Sequence, residues 1–147
     1  MSGRADAIIA RARAHVGIRF RAQGRGREGL DCVGLVAVAL GIKQVRGDYA
    51  LRGGAAEILA MELRAAGLCA AAVPTAGDVL VMQAGPGQLH LGIWTGKSLI
   101  HADARLRRVV ERPGTPPWTV VGTWRFAEAA MPGDAEPSPD CSPLIGA

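Results

Sequence analysis

Three side chains in this sequence have types and positions suited to nucleophilic chemistry: Cys32, His90 and His101. A cysteine attacks a carbonyl as its thiolate, which needs a positive local field or a neighbouring base. Cys32 follows Asp31, where a stretch rich in glycine and arginine gives way to the apolar run of residues 33–40. Asp31 is a good helix N-cap and Gly41 a natural stop, so a helix with Cys32 in its first turn is expected. The partial positive charge of that helix end favours a thiolate. Taken alone, Cys32 reads as a small buried hydrophobe, the commoner state of a free cysteine. The two histidines shift that balance.

Residues 89–95 and 98–103 alternate as strands, and Gly96-Lys97 between them suits a two-residue type II′ turn. Thr95 then opposes Ser98, Trp94 opposes Leu99, Gly92 opposes His101, and His90 opposes Asp103. With a period of two, His90, Gly92, Trp94, Leu99, His101 and Asp103 share one face, while Leu91, Ile93, Ile100 and Ala102 form the core face. His90 and His101 become diagonal neighbours roughly 7 Å apart at Cβ, and Gly92 has no side chain to separate them. A one-residue slip would place them on opposite faces. In this register one histidine serves as base for Cys32 and a polar third group fixes its tautomer. His90 is the expected base and His101 the orienting group, with Asp103 the rival for that third place. The same donors could hold zinc, an arrangement ranked last.

The positioning elements follow from the rest of the chain. Residues 3–16 read as an amphipathic helix with Ile8, Ile9, Ala12 and Val16 on one face. Residues 18–30 form a loop carrying Arg19, Arg21, Arg25 and Arg27, which leads into the Cys32 helix. A loop over residues 43–54 precedes a helix at 55–66. Cys69 lies in an alanine-rich stretch and is expected to be inert and buried. Strands are expected at 78–83, 89–95, 98–103, 109–112 and 120–126. Residues after 126 are rich in Pro, Ala, Gly and acids and read as a tail without a core. The expected organisation is one domain over residues 1–126 and a tail over 127–147. Helices should pack on one side of an antiparallel sheet of about five strands, an α+β fold.

Composition excludes several classes. The chain has 147 residues, 49% hydrophobic and 20% charged, the balance of a globular domain. No apolar run of about 18 residues suggests a membrane span. The first residues lack a basic patch followed by an apolar stretch, so synthesis in the cytoplasm without a secretory signal is expected. Three cysteines without a Cys-x-x-Cys pair suggest neither a disulfide framework nor a zinc knuckle. Aromatic content of 4% leaves few stacking platforms, which argues against a nucleic-acid partner. The net charge is +4, and fifteen of the seventeen cations are arginine, a side chain whose planar fork suits carboxylates.

Four segments in order carry a resemblance. Leu30-Asp31-Cys32-Val33-Gly34-Leu35-Val36, Ala76-Gly77-Asp78-Val79-Leu80, His90-Leu91-Gly92-Ile93-Trp94 and Leu99-Ile100-His101-Ala102 resemble the signatures of the NlpC/P60 family. These are papain-like cysteine peptidases of bacterial cell walls, and the match spans about residues 5–126. The Asp-Cys-Val-Gly turn is most similar to short, tail-associated peptidases of phages and gene transfer agents. The resemblance implies a papain-like fold with Cys32 as nucleophile, His90 as base and His101 as third catalytic residue. It implies hydrolysis of an amide in the peptidoglycan stem peptide, typically between γ-D-glutamate and diaminopimelate, with no cofactor.

In that family the residues flanking the cysteine help hold substrate, which implies Asp31 here. Val33 stands where a serine is usual, and Phe20 where a tyrosine is common. Gln23 is a candidate oxyanion donor beside the Cys32 amide, and Arg21, Arg25 or Arg27 are candidates for stem-peptide carboxylates. Expected partners are therefore stem peptides and phage-like tail or baseplate proteins, the site of action being the periplasmic wall reached from a virion or tail particle. Rival readings are an inactive structural tail module with the same fold, and a related acyltransferase or amidase.

Overall fold

The computed structural model describes residues 3–21, 24–26, 29–42 and 56–127. Its elements run α1 (Gly3–Ala14), β1 (Arg25–Gly26), β2 (Gly29–Leu30), α2 (Cys32–Leu40), α3 (Ala56–Ala65), β3 (Leu68–Ala70), β4 (Val79–Gly85), β5 (Gln88–Trp94), β6 (Ser98–Asp103), β7 (Arg108–Pro113) and β8 (Thr119–Phe126). Strands β1 and β2 form a small hairpin. The other six form one sheet in the order β3-β8-β4-β5-β6-β7, with every pairing antiparallel. The sheet therefore has six strands where the sequence suggested about five. The added strand is β3, whose Leu68, Cys69 and Ala70 pair with Phe126, Arg125 and Trp124. Three residues are too few to display an alternation, so sheet-edge pairing decides their conformation.

Alternation along the strands divides the sheet into two faces. Val79, Val81, Leu89, Leu91, Ile93, Ile100, Ala102 and Val109 join the main core with residues of α1, α2 and α3. Each fully buried aliphatic side chain of this kind contributes about 1.5–3 kcal/mol. The opposite face carries a smaller cluster of Leu80, Met82 and Leu99, against which Trp94, Trp118 and Val120 pack. The segment Ala76-Gly77-Asp78 joins the helices to the sheet. Gly77 has φ +94° and stands so close to Ala5 of α1 that a Cβ there would lie 2.8 Å from the alanine methyl. The buried Asp78 carboxylate accepts from Arg125 Nε and an Nη at 3.0 and 2.8 Å, and from the Thr75 amide at 2.7 Å.

Helix α2 lies almost wholly inside, with Cys32, Val33, Gly34, Leu35, Val36, Ala37, Ala39 and Leu40 buried, as its uniformly apolar run requires. Asp31 caps it, accepting from the Gly34 amide at 2.7 Å, and Gly41 ends it in the left-handed conformation. Arg11 of α1 donates to the Ala39 carbonyl at 2.9 Å, placing a cation at the negative end of α2. Cys69 is disulfide-bonded, so the expectation of an inert thiol is corrected, although the residue is buried as expected. The proposed tail over 127–147 lies outside the described residues beyond Ala127.

Candidate active site

The register of the β5–β6 hairpin sets the geometry. Ile93 pairs with Ile100 and Trp94 with Leu99, the register expected from the Gly96-Lys97 turn. Gly96 has φ +104°, a conformation that glycine adopts without a Cβ penalty. His90 and His101 thus share one face of the hairpin. His90 Nε2 and His101 Nδ1 lie 3.0 Å apart, with ring centroids separated by 5.1 Å and planes at 89°. At that distance one nitrogen carries the proton and donates to the other.

The pair is dry. His101 is only 2% exposed. The indole of Trp118, from the β7–β8 connection, meets His90 edge-on at 5.0 Å and His101 at 5.4 Å. Sequence reasoning missed Trp118, because it lies in a Pro-rich connection just before a strand and has no periodic neighbour to mark its face. Desolvation is the largest influence on His90 and lowers its pKa from 6.5 to about 4; His101 adds to the fall and Asp103 opposes it. His101 is also lowered, first by burial and then by Arg112, against the pull of Asp103. Both imidazoles are therefore neutral at neutral pH. Asp103, the rival third group, does not bridge to His90. Its Oδ1 accepts from the amides of Arg105 and Leu106 at 2.8 and 2.9 Å and closes the β6–β7 turn.

Cys32 is the first residue of α2, a cysteine outside any disulfide with 7% of its surface exposed. Helix α2 packs against β5 and β6. The approach to Cys32 is stitched to the edge of β7: Gly17 donates to the Val109 carbonyl at 2.8 Å, Val109 to Ile18 at 2.9 Å and Phe20 to Arg107 at 2.9 Å. Arg21 and Leu30 continue the stitching, through Arg21 N–H to the Leu30 carbonyl at 3.1 Å and Leu30 N–H to the Arg19 carbonyl at 3.0 Å. A strap of backbone bonds therefore places the start of α2 relative to the strand beside His101. Gly24 closes over it, its carbonyl so near Gly34 that a Cβ there would clash.

The remaining sequence candidates are distributed as follows. Asp31 is buried and its Oδ1 is held by the cap. Phe20 is partly buried and packs against the main core. Arg21 is exposed. Gln23, Arg27 and the Arg25 side chain lie outside the described residues. Among the described residues no three His, Cys, Asp or Glu side chains are grouped as a metal ion would need, so the zinc alternative has no donor set there. No helix among them is long and apolar enough to cross a membrane.

No family profile matches the sequence, and no curated protein matches it. Solved structures do match. NlpC1 from Trichomonas vaginalis superposes with a TM-score of 0.60 at 15% identity over 82% of this chain and 44% of its own. The NlpC/p60 domain of the peptidoglycan hydrolase SagA gives 0.53 at 23% identity, over 74% of this chain and 88% of that one. The peptidoglycan hydrolase RipB from Mycobacterium tuberculosis gives 0.55 at 21% identity, over 86% and 66%. The chain thus spans less than half the length of the Trichomonas protein and most of the SagA domain. Among the described residues, three helices on a six-stranded antiparallel sheet, matching these structures, give this chain the α+β fold of NlpC/P60 domains.

Proposed function

We propose that the protein is a cysteine peptidase that hydrolyses an amide of the peptidoglycan stem peptide, between γ-D-glutamate and diaminopimelate, and that a phage-like or gene-transfer-agent tail carries it to the periplasmic wall. The observation that supports this reading is the 3.0 Å imidazole pair on β5 and β6, the two strands against which α2, with Cys32 as its first residue, packs. Its fold is that of domains which include the peptidoglycan hydrolases SagA and RipB.

On this reading Cys32 is the nucleophile, His90 the base and His101 the orienting group. With His90 Nε2 engaged by His101, Nδ1 is the nitrogen left to take the thiol proton. A neutral imidazole, which burial maintains, is the form able to accept it. Sγ bonds to the amide carbon, and the oxyanion forms near the backbone amides that open α2, with Gln23 a second candidate donor. The tetrahedral intermediate collapses as His90 returns its proton to the leaving amine. Water then attacks the thioester, giving up its proton to His90, and the freed carboxylate departs as the thiol is restored.

The deciding experiment incubates the purified chain with muropeptides and reads the products by mass. Cleavage of the γ-glutamyl amide, abolished in Cys32→Ala, is expected. Undiminished cleavage in Cys32→Ala would rule the mechanism out. A second reading, an inactive structural tail module of the same fold, draws on Val33 and Phe20, which here serve packing: Val33 is fully buried and Phe20 lies against the core. Absent cleavage, together with a Cys32 alkylation rate indifferent to His90→Ala, would favour that module.

A further inference from the structure

Strand β7 sorts its charges between the two faces of the sheet. Glu111, the Cα partner of Ile100, faces the helices, and its two oxygens accept from Arg13 of α1 at 2.9 and 2.7 Å. Arg108 and Arg112 are partners of Asp103 and Leu99, so alternation places them on the opposite face with His101. Midway between them stands Val110, the partner of His101, so two guanidiniums bracket the buried imidazole on the adjacent strand. Arg112 is near enough to lower the pKa of His101. Arg19 extends the row. It bridges to Arg108 while its neighbours Ile18 and Phe20 pack into the core, which sends the arginine the other way.

All three arginines are exposed, and among the described residues none of their guanidiniums has an ion pair or hydrogen bond. The carboxylate opposite Arg108, that of Asp103, is held by the amides of its own turn. Arg13 and Arg125, by contrast, are each matched to an acid. Positive charge without a partner is thus concentrated along one sheet edge, beside the imidazole pair.

We propose that Arg19, Arg108 and Arg112 form a carboxylate-recognition strip for a peptide bearing free carboxylates on both sides of the amide presented to His90. The inference rests on the peptidase reading for which amide that is. Arg112 lies four strand positions beyond Arg108, about 13 Å, the reach of a short extended peptide. The planar fork of each guanidinium takes a carboxylate through two parallel hydrogen bonds. The γ-linked glutamate carries its free α-carboxylate on one side of the scissile amide, and diaminopimelate carries its own on the other. The strip therefore distinguishes acidic stem peptides from those whose carboxyls are amidated.

The test uses the full chain carrying Cys32→Ala, titrated calorimetrically at low salt with L-Ala-γ-D-Glu-diaminopimelate and with the same tripeptide amidated at its free carboxyls. The acidic peptide is expected to bind roughly three- to tenfold tighter, in keeping with solvent-exposed ion pairs, and added salt should erase the difference. Arg108→Gln with Arg112→Gln should abolish that preference, and Arg108→Lys with Arg112→Lys should keep part of it. Equal affinities, a preference that survives the double Gln substitution, or no binding of the acidic peptide would overturn the strip. Muropeptide cleavage by the unsubstituted chain tests the peptidase reading separately. A chain that binds the acidic peptide through these arginines but cleaves nothing refutes the enzyme and keeps the strip. One that cleaves acidic and amidated peptides with the same KM refutes the strip and keeps the enzyme.

Discussion

Gly92 of β5 is pressed against His101 of β6: a Cβ built on Gly92 would lie 3.3 Å from the His101 Cβ and 2.7 Å from Leu99 Cδ1. The closeness of the strands at this point lets the two imidazoles meet. Gly92→Ala should force the hairpin apart, at a cost of about 1–3 kcal/mol in stability, and lengthen the His90–His101 bond. Urea denaturation and the imidazole nitrogen shifts by NMR measure both effects. A stable variant with unchanged imidazole shifts would show that the glycine is incidental.

Stability should depend on acid through His90. Its folded pKa of about 4 lies below the 6.5 of the free side chain. Between these values the unfolded chain binds a proton that the folded chain refuses, so stability rises with pH across that window. It is complete above about pH 6.5 and is lost as pH falls towards 4, by up to about 3 kcal/mol for this group. Thermal unfolding from pH 7 to 4 should follow that slope, and His90→Gln should flatten it. An equal slope in the variant would assign the acid sensitivity elsewhere.

Removing the indole over the pair should wet it. In Trp118→Ala, water replaces a ring 5.0 Å from His90 and 5.4 Å from His101, so the His90 pKa should climb back towards 6.5. Because Trp118 packs on the smaller cluster at its margin, the loss of stability should stay at or below about 3 kcal/mol. NMR titration of the imidazole protons checks the shift. A His90 titration unmoved by the substitution would mean that the strands alone keep the pair dry.

Asp78 should matter to folding and not to chemistry. Its carboxylate is 3% exposed and joins Arg125 of β8 to the Thr75 turn. Asp78→Asn takes the charge from a buried carboxylate whose partner, the Arg125 guanidinium, is part-exposed, and should cost about 1–3 kcal/mol. At a temperature where the variant remains folded, Cys32 alkylation should proceed at the unsubstituted rate. A slowed alkylation in folded protein would tie this turn to the site.

Legibility followed period and punctuation. The alternation of β5 and β6, with Gly96-Lys97 between them, was enough to pair Trp94 with Leu99 and to bring the histidines to one face. Asp31 and Gly41 bracketed α2 because cap chemistry is local. The misses had no local signature. Strand β3 exists through its pairing with β8, a partner more than fifty residues away. Trp118 is placed by a Pro-rich connection whose path depends on the sheet it crosses. The strap of residues 17–21 looked like a loop because its hydrogen bonds run to β7 and to Leu30 rather than within itself. Arg108 and Arg112 carried no meaning until the register with β6 showed which face they share.

That strap has a mechanical corollary. Because the chain leading to the cysteine is laced to Val109 and Arg107, a pull on the N-terminal end of α2 is borne first by ladder bonds at the rim of the sheet. Lengthening the stretch after Leu30 would let the thiol drift while leaving every strand intact. Shortening the link between Ala14 and Gly17 would drag α1 with it. Insertions tolerated elsewhere on the surface should therefore be rejected at these two points, and a scan of single-residue insertions would trace the lacing directly.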